Sequence, residues 1–217
     1  MISDLTIRLE TSADYREVEY ITREAFWNHH VPGCDEHYLA HVLRKSSCFI
    51  HELDFVAVQQ GRIVGNIMYT HAKIVGDDGV EYPVISFGPV SVLPEWQGNG
   101  VGSALILRSL SEARRLGYTA VLIYGDPAYY SRLGFVAAET YGIGSSDDYF
   151  ADALQALELK KGSLNGKQGR FFEDHAYEVD AKASAAFDRS FPPKKKQEGL
   201  SSQLKFLEHV SARKPRK

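Results

Sequence analysis

The sequence is short of cysteine, methionine and tryptophan, and it has no long apolar run. Its two cysteines, Cys34 and Cys48, are spread over 217 residues and match neither a CxxC nor a Cys/His zinc spacing. Two thiols in a chain of this length make no disulfide framework, which favours a reducing compartment. No apolar stretch approaches the roughly 20 residues needed to span a bilayer. The opening residues MISDLTIRLE lack the basic flank and apolar core of a signal peptide. The expectation is a cytoplasmic protein without a membrane partner and without a metal.

Apolar material is ample, at 44% hydrophobic and 12% aromatic, enough for one sizeable core. The net charge of −3 is unevenly spread. From Lys194 onward there are eight Lys or Arg against two Glu, so a basic end follows an acidic body. That end has no interleaved aromatics and no folded recognition motif, which argues against nucleic acid as a partner. The composition break at FPPKKKQEG makes residues 194–217 read as a basic tail. Residues 161–193 read as an extension of the domain formed by residues 1–160.

Periodicity predicts a strand over Leu5–Leu9, then helices over 12–27 and 35–46. Thr11 and Asp14 have capping-box spacing. Strands follow at Leu53–Val58 and Ile63–His71, then a hairpin turn at 76–79 and a strand at Pro83–Leu93, apolar enough to be buried on both faces. A helix over 99–116 carries Val101, Ala104, Leu105, Leu110, Ala113 and Leu116 on one face. Thr119–Tyr124 is a strand, 127–133 a short helix, and Phe135–Ala138 and Leu154–Leu159 are further strands. RFF near 170 and Lys182–Phe187 are a candidate strand and helix. The order is α+β, with one right-handed crossover after the long strand.

The chemistry-bearing stretch is GPVSVLPEWQGNGVGSALI, residues 88–106. A buried strand ends at Leu93, and Gly98, Gly100 and Gly102 lead straight into a helix. Glycines let a backbone approach a ligand closely, and a helix start presents amide groups and a positive dipole end. Together they suit a phosphate or pyrophosphate. The structural alternative is a tight strand–helix turn without a ligand. The P-loop is excluded because no Lys-Ser/Thr pair follows, and the dinucleotide fingerprint is excluded by Ser103.

What remains is Gln97-x-x-Gly100-x-Gly102, which resembles the pyrophosphate signature of the GNAT superfamily of N-acetyltransferases, Q/R-x-x-G-x-G/A. Downstream, Tyr130-Ser-Arg-Leu-Gly134-Phe135 resembles the family's Y-x-x-x-G-F element. The likeness covers roughly residues 5–160 and is closest to a bacterial subgroup with a GDPxYYxRxGF segment.

That resemblance implies a mixed, splayed β-sheet flanked by helices, with acetyl-CoA as co-substrate. It implies that the backbone of Val90, Ser91 and Val92 pairs with the pantetheine arm. Gln97, Gly98, Asn99, Gly100, Val101, Gly102 and Ser103 would hold the pyrophosphate, and Tyr130 would act on the sulfur. A tyrosine, pKa about 10, is a competent donor to a thiolate of pKa about 8.5. The acceptor would be a small-molecule or protein amine, and the assembly a monomer or homodimer.

The chain departs from the family pattern at the base. Val121–Tyr124 contains no carboxylate, and no Asn precedes Tyr130 in its short loop. Asp126, Glu24 or a water chain remain for that role. Phe26, Trp27, His29 and His30 either line an acceptor pocket or form an exposed surface loop. A non-catalytic acyl-CoA-binding or sensor module is the competing class.

Overall fold

The computed structural model describes residues 4–216. They form two compact units, each assembled from three stretches of chain. The first comprises residues up to Tyr69, Gly88–Ser109 and His175–Leu204; the second comprises Thr70–Phe87, Leu110–Asp174 and the residues from Lys205 on.

In the first unit, β1 (Thr6–Leu9) pairs antiparallel with β2 (Phe55–Gln59), which pairs antiparallel with β3 (Arg62–Gly76). Two helices, α1 (Tyr15–Phe26) and α2 (Glu36–Leu43), pack together. Val18 and Ile21 of α1 are completely buried. Thr11 and Asp14 do meet, through Thr11 N and Oγ1 donating to Asp14 Oδ2 at 2.8 and 2.7 Å. The helix begins one residue after Asp14, so the pair sits at the cap rather than inside the first turn. Arg8 donates to both oxygens of Asp14 and holds its carboxyl far below the usual range.

The strand β4 (Glu81–Val92) is buried on both faces from Val84 to Phe87, as its unbroken apolar run predicts. It leads through a 3₁₀ turn (Pro94–Trp96) to α3 (Val101–Arg115). Val101, Leu105, Leu110 and Ala113 on α3 are at most 1% exposed. Leu116 lies past the end of the helix and is exposed.

In the second unit, β4 pairs parallel with β5 (Ala120–Tyr124), the register falling at Ile85 opposite Val121. β5 pairs antiparallel with β9 (Leu154–Glu158), which also pairs with the two-residue β6 (Val136–Ala137). The expected short helix divides into α4 (Pro127–Tyr130) and a 3₁₀ turn over Ser131–Leu133. β10 (Gly169–Phe172) pairs with β3 and with the short β7 (Ile143–Gly144). A core of Ile74, Val84, Leu122, Ile143, Leu154 and Phe171 closes this unit. The sheet is mixed, with helices flanking it, in an α+β chain.

Residues 161–193 serve both units, and include α5 (Ala181–Asp188). The residues read as a basic tail carry α6 (Ser201–Ser211) and β11 (Arg213–Pro215), which pairs antiparallel with β8 (Tyr149–Ala151). Arg216 closes this end by pairing with Asp77 and Asp148, both at 2.6 Å. Earlier in the same segment, Asn28 gathers the chain. Its Nδ2 donates to Lys195 O at 3.1 Å, its Oδ1 accepts from Gln197 N at 3.1 Å, and its O accepts from Gln203 Nε2 at 3.1 Å.

Asn28 also has φ of 60°, a left-handed conformation that asparagine tolerates better than alanine. Asn28→Ala should cost about 2 kcal/mol through lost buried hydrogen bonds and backbone strain. Urea unfolding measures that loss. Trypsin should also cut faster at Lys194, Lys195 and Lys196 than in the unaltered protein.

Candidate active site

Two local constructions hold the expected site residues, one in each unit. The first is the turn into α3. Gly98 and Gly100 have φ of 73° and 88°, conformations that residues with a Cβ adopt at a cost. A Cβ added at either would meet nothing within 4 Å, so the space in front of this turn is open. Gln97 Nε2 donates to Val92 O at 3.0 Å and Asn99 Nδ2 to Gln97 O at 3.1 Å, which ties the turn to the end of β4. The helical ladder starts where Ala104 N donates to Gly100 O at 2.9 Å. The amides of Val101, Gly102 and Ser103 therefore occupy the first turn, at the positive end of the helix.

The strand before this turn is fixed from one side. Ser91 is fully buried and its Oγ lies 2.8 Å from Thr22 Oγ1 of α1, while Val90 and Val92 are partly exposed. Gly65 on β3 sets the closeness of approach. A Cβ there would sit 2.9 Å from Ser91 O and 3.0 Å from Leu105 Cδ1.

The second construction surrounds Tyr130. Its ring packs against Phe87 of β4 at 5.9 Å and edge-on against Phe135 at 5.5 Å. Gly134, at φ of 89°, reverses the chain so that Phe135 returns beneath Tyr130. This explains the Y-x-x-x-G-F pattern as packing: the glycine makes the turn and the two rings close it. Gly125 is needed as well, because a Cβ there would lie 2.1 Å from Tyr130 Cε2. Burial, with smaller contributions from Tyr129 and Asp126, pushes the Tyr130 phenol above its ordinary range. It is therefore held protonated at neutral pH.

The carboxylates considered for the base are both engaged. Asp126 caps α4 by accepting from Ala128 N at 2.8 Å, and Lys205 donates to it at 2.7 Å. The Lys205 ammonium is the main reason that its carboxyl lies below the usual range. Glu24 pairs with Lys194 at 2.8 Å. Trp27 is held by Lys195 O, which accepts from its Nε1 at 3.0 Å, and Arg23 lies over its ring at 4.3 Å. The His30 ring lies tilted against those of Phe26 and His29, with centroids at 5.6 and 4.7 Å, and its Nδ1 lies 3.2 Å from Glu36 Oε1.

One ionisable residue escaped the sequence reading. Glu173 follows β10, and Ser86 Oγ of β4 donates to its Oε1 at 3.4 Å. Burial pushes its carboxyl up to about 7, with Ser86 partly opposing. The signal was present in RFFE: continuing the strand alternation one residue beyond RFF puts Glu173 on the face of buried Phe171.

A parallel strand, a glycine turn in left-handed conformation and a helix start together present backbone amides and a positive dipole end that suit an anion. Residues 48–137 match the family model of the acetyltransferase (GNAT) domain. The chain is 27% identical over 166 residues to the uncharacterized N-acetyltransferase YhbS of Escherichia coli K12, covering 76% of this chain and 93% of that protein. The crystal structure of Escherichia coli YhbS in complex with CoA superposes with a TM-score of 0.71 at 24% identity, over 81% of this chain and 92% of that one. A GNAT family acetyltransferase from Brucella melitensis, solved in complex with acetyl-CoA, gives a TM-score of 0.65 at 28% identity, over 80% of this chain and 97% of that one.

Gly125→Ala should force the Tyr130 ring aside and cost about 1–3 kcal/mol, as for overpacking elsewhere. Denaturant unfolding and near-ultraviolet circular dichroism, which senses the tyrosine environment, check this together.

Proposed function

We propose that this protein transfers an acetyl group from acetyl-CoA to a primary amine by direct attack. The observation that carries the reading is the turn at Gly98–Gly100, left-handed at both glycines, with open space before the first turn of α3. Its backbone suits a pyrophosphate, and CoA carries one. The YhbS and Brucella melitensis structures, which hold CoA and acetyl-CoA, support the same choice.

In this reading Gln97, Gly98, Asn99, Gly100, Val101, Gly102 and Ser103 cradle the pyrophosphate. The backbone of Val90, Ser91 and Val92 pairs with the amides of the pantetheine arm, as a sheet edge pairs with an added strand. Ser91 keeps that edge straight through its bond to Thr22. Tyr130 donates its phenolic proton to the departing sulfur. Its protonated state at neutral pH suits a donor, and the developing thiolate is the better acceptor as the C–S bond breaks.

Two substitutions test the reading. In Gly100→Val the new side chain fills the open space and strains the backbone by about 1–2 kcal/mol, which the fold tolerates. Calorimetry should show CoA affinity reduced by at least about tenfold, or about 1.4 kcal/mol; unchanged affinity in the folded variant would refute the cradle. Tyr130→Phe keeps the ring packing and removes the hydroxyl. kcat should fall about 10²-fold with little change in KM, because the lost bond forms chiefly in the transition state. Full turnover in this variant, measured as thiol release with a panel of amines, would remove Tyr130 from the chemistry.

A further inference from the structure

Direct attack needs a neutral amine, while an alkyl amine is an ammonium at neutral pH. Some group must take that proton. Asp126 and Glu24 each pair with a lysine, and Lys205 holds the Asp126 carboxyl below its usual range, which makes it a poor proton acceptor. Glu173 is placed differently. Among its described contacts, the hydrogen bond comes from a neutral hydroxyl, Ser86 Oγ.

Its position is set by two strands. On β10, Phe171 enters the second unit's core, and Glu173, two residues on, faces the same way. On β4, Ser86 is fully buried and its neighbour Phe87 points to the opposite face, against Tyr130 and Phe135. Glu173 and Tyr130 thus flank one two-residue step of β4 from opposite faces. An acid for the leaving sulfur and a base for the entering nitrogen belong on opposite sides of a carbonyl under attack.

We propose that Glu173 is the general base that deprotonates the acceptor ammonium, an assignment that rests on the transferase reading above. The Glu173 carboxylate takes one proton from R–NH₃⁺ and leaves R–NH₂. The nitrogen lone pair forms the C–N bond, and the C–S bond breaks with its electron pair passing to sulfur. Tyr130 gives its proton to that sulfur, and the second proton shed by nitrogen restores the phenol. Glu173 releases its proton to solvent, so each turnover yields amide, free thiol and one proton.

The groups facing Glu173 are Ser86 from β4 and Tyr124 from β5, while Asp147 and Arg213 act on the same Tyr124. With its carboxyl near 7, the working carboxylate form grows as pH rises through neutrality. kcat/KM for an alkyl amine should therefore climb through an inflection near 7. Ser86 stabilises the ionised form, so Ser86→Ala should move that inflection to higher pH without removing it.

The decisive comparison sets benzylamine, an ammonium at pH 7, against aniline, already neutral there. Glu173→Gln in the full chain should slow acetylation of benzylamine about 10²-fold and abolish the inflection. Aniline turnover and CoA affinity by calorimetry should stay within about threefold, roughly 0.7 kcal/mol. Equal losses with both amines would make Glu173 a structural residue and overturn the assignment, as would undiminished benzylamine turnover in Glu173→Gln. Wild-type protein that binds CoA but acetylates neither amine would overturn the transferase reading itself, and this one with it.

Discussion

The glycine turn before α3 depends on how near α3 and the end of β4 come to β3, and that distance is set by a missing methyl group. Gly65 leaves room for Ser91 O and Leu105 Cδ1 where a Cβ would lie at 2.9 and 3.0 Å. Any side chain there pushes against a main-chain oxygen, which cannot rotate away as a side chain can. The strand would move, and with it the Gln97 bond to Val92 that anchors the turn. One small residue on an inner strand thus governs the backbone of the turn that follows β4. Its substitution would be felt as lost alignment before lost stability.

The carboxylates of the second unit show how surroundings assign roles to identical groups. Asp126 meets an amide and an ammonium, and settles as a permanent anion that caps a helix. Glu173 meets a hydroxyl and is withdrawn from water, and its charge becomes conditional on pH. Tyr130 is shifted by the same burial, but in a phenol this locks the proton on. A single physical cause, withdrawal from water, produces a proton holder and a proton acceptor because one group is a far weaker acid than the other.

What was legible in the sequence was local. The glycine turn, the long buried strand, α3 and the Tyr130–Phe135 element each lie within a few residues of their own cause, and their outlines match. The side that Glu173 faces was legible in RFFE, but its partner Ser86 was not, being 87 positions away with no spacing rule to link them. β8 and β11 escaped for the same reason: each is three residues long and exists through pairing with the other. The segment from Lys194 on reads as a basic tail from its composition, and its charges find Glu24, Asp126, Asp147 and Asp77. Composition reports charge but not the distant groups that answer it.

Asn28 has a consequence for how the chain is made. Its partners Lys195, Gln197 and Gln203 lie 167, 169 and 175 positions downstream. On the ribosome, at about 5–20 residues per second, the end of α1 must wait for some ten to thirty seconds before those residues emerge. Through that interval its left-handed asparagine and neighbouring aromatics have no covering strand of chain. The helix pair synthesised first is therefore among the last parts to be completed, and nascent chains stalled short of Gln203 would present that face to chaperones.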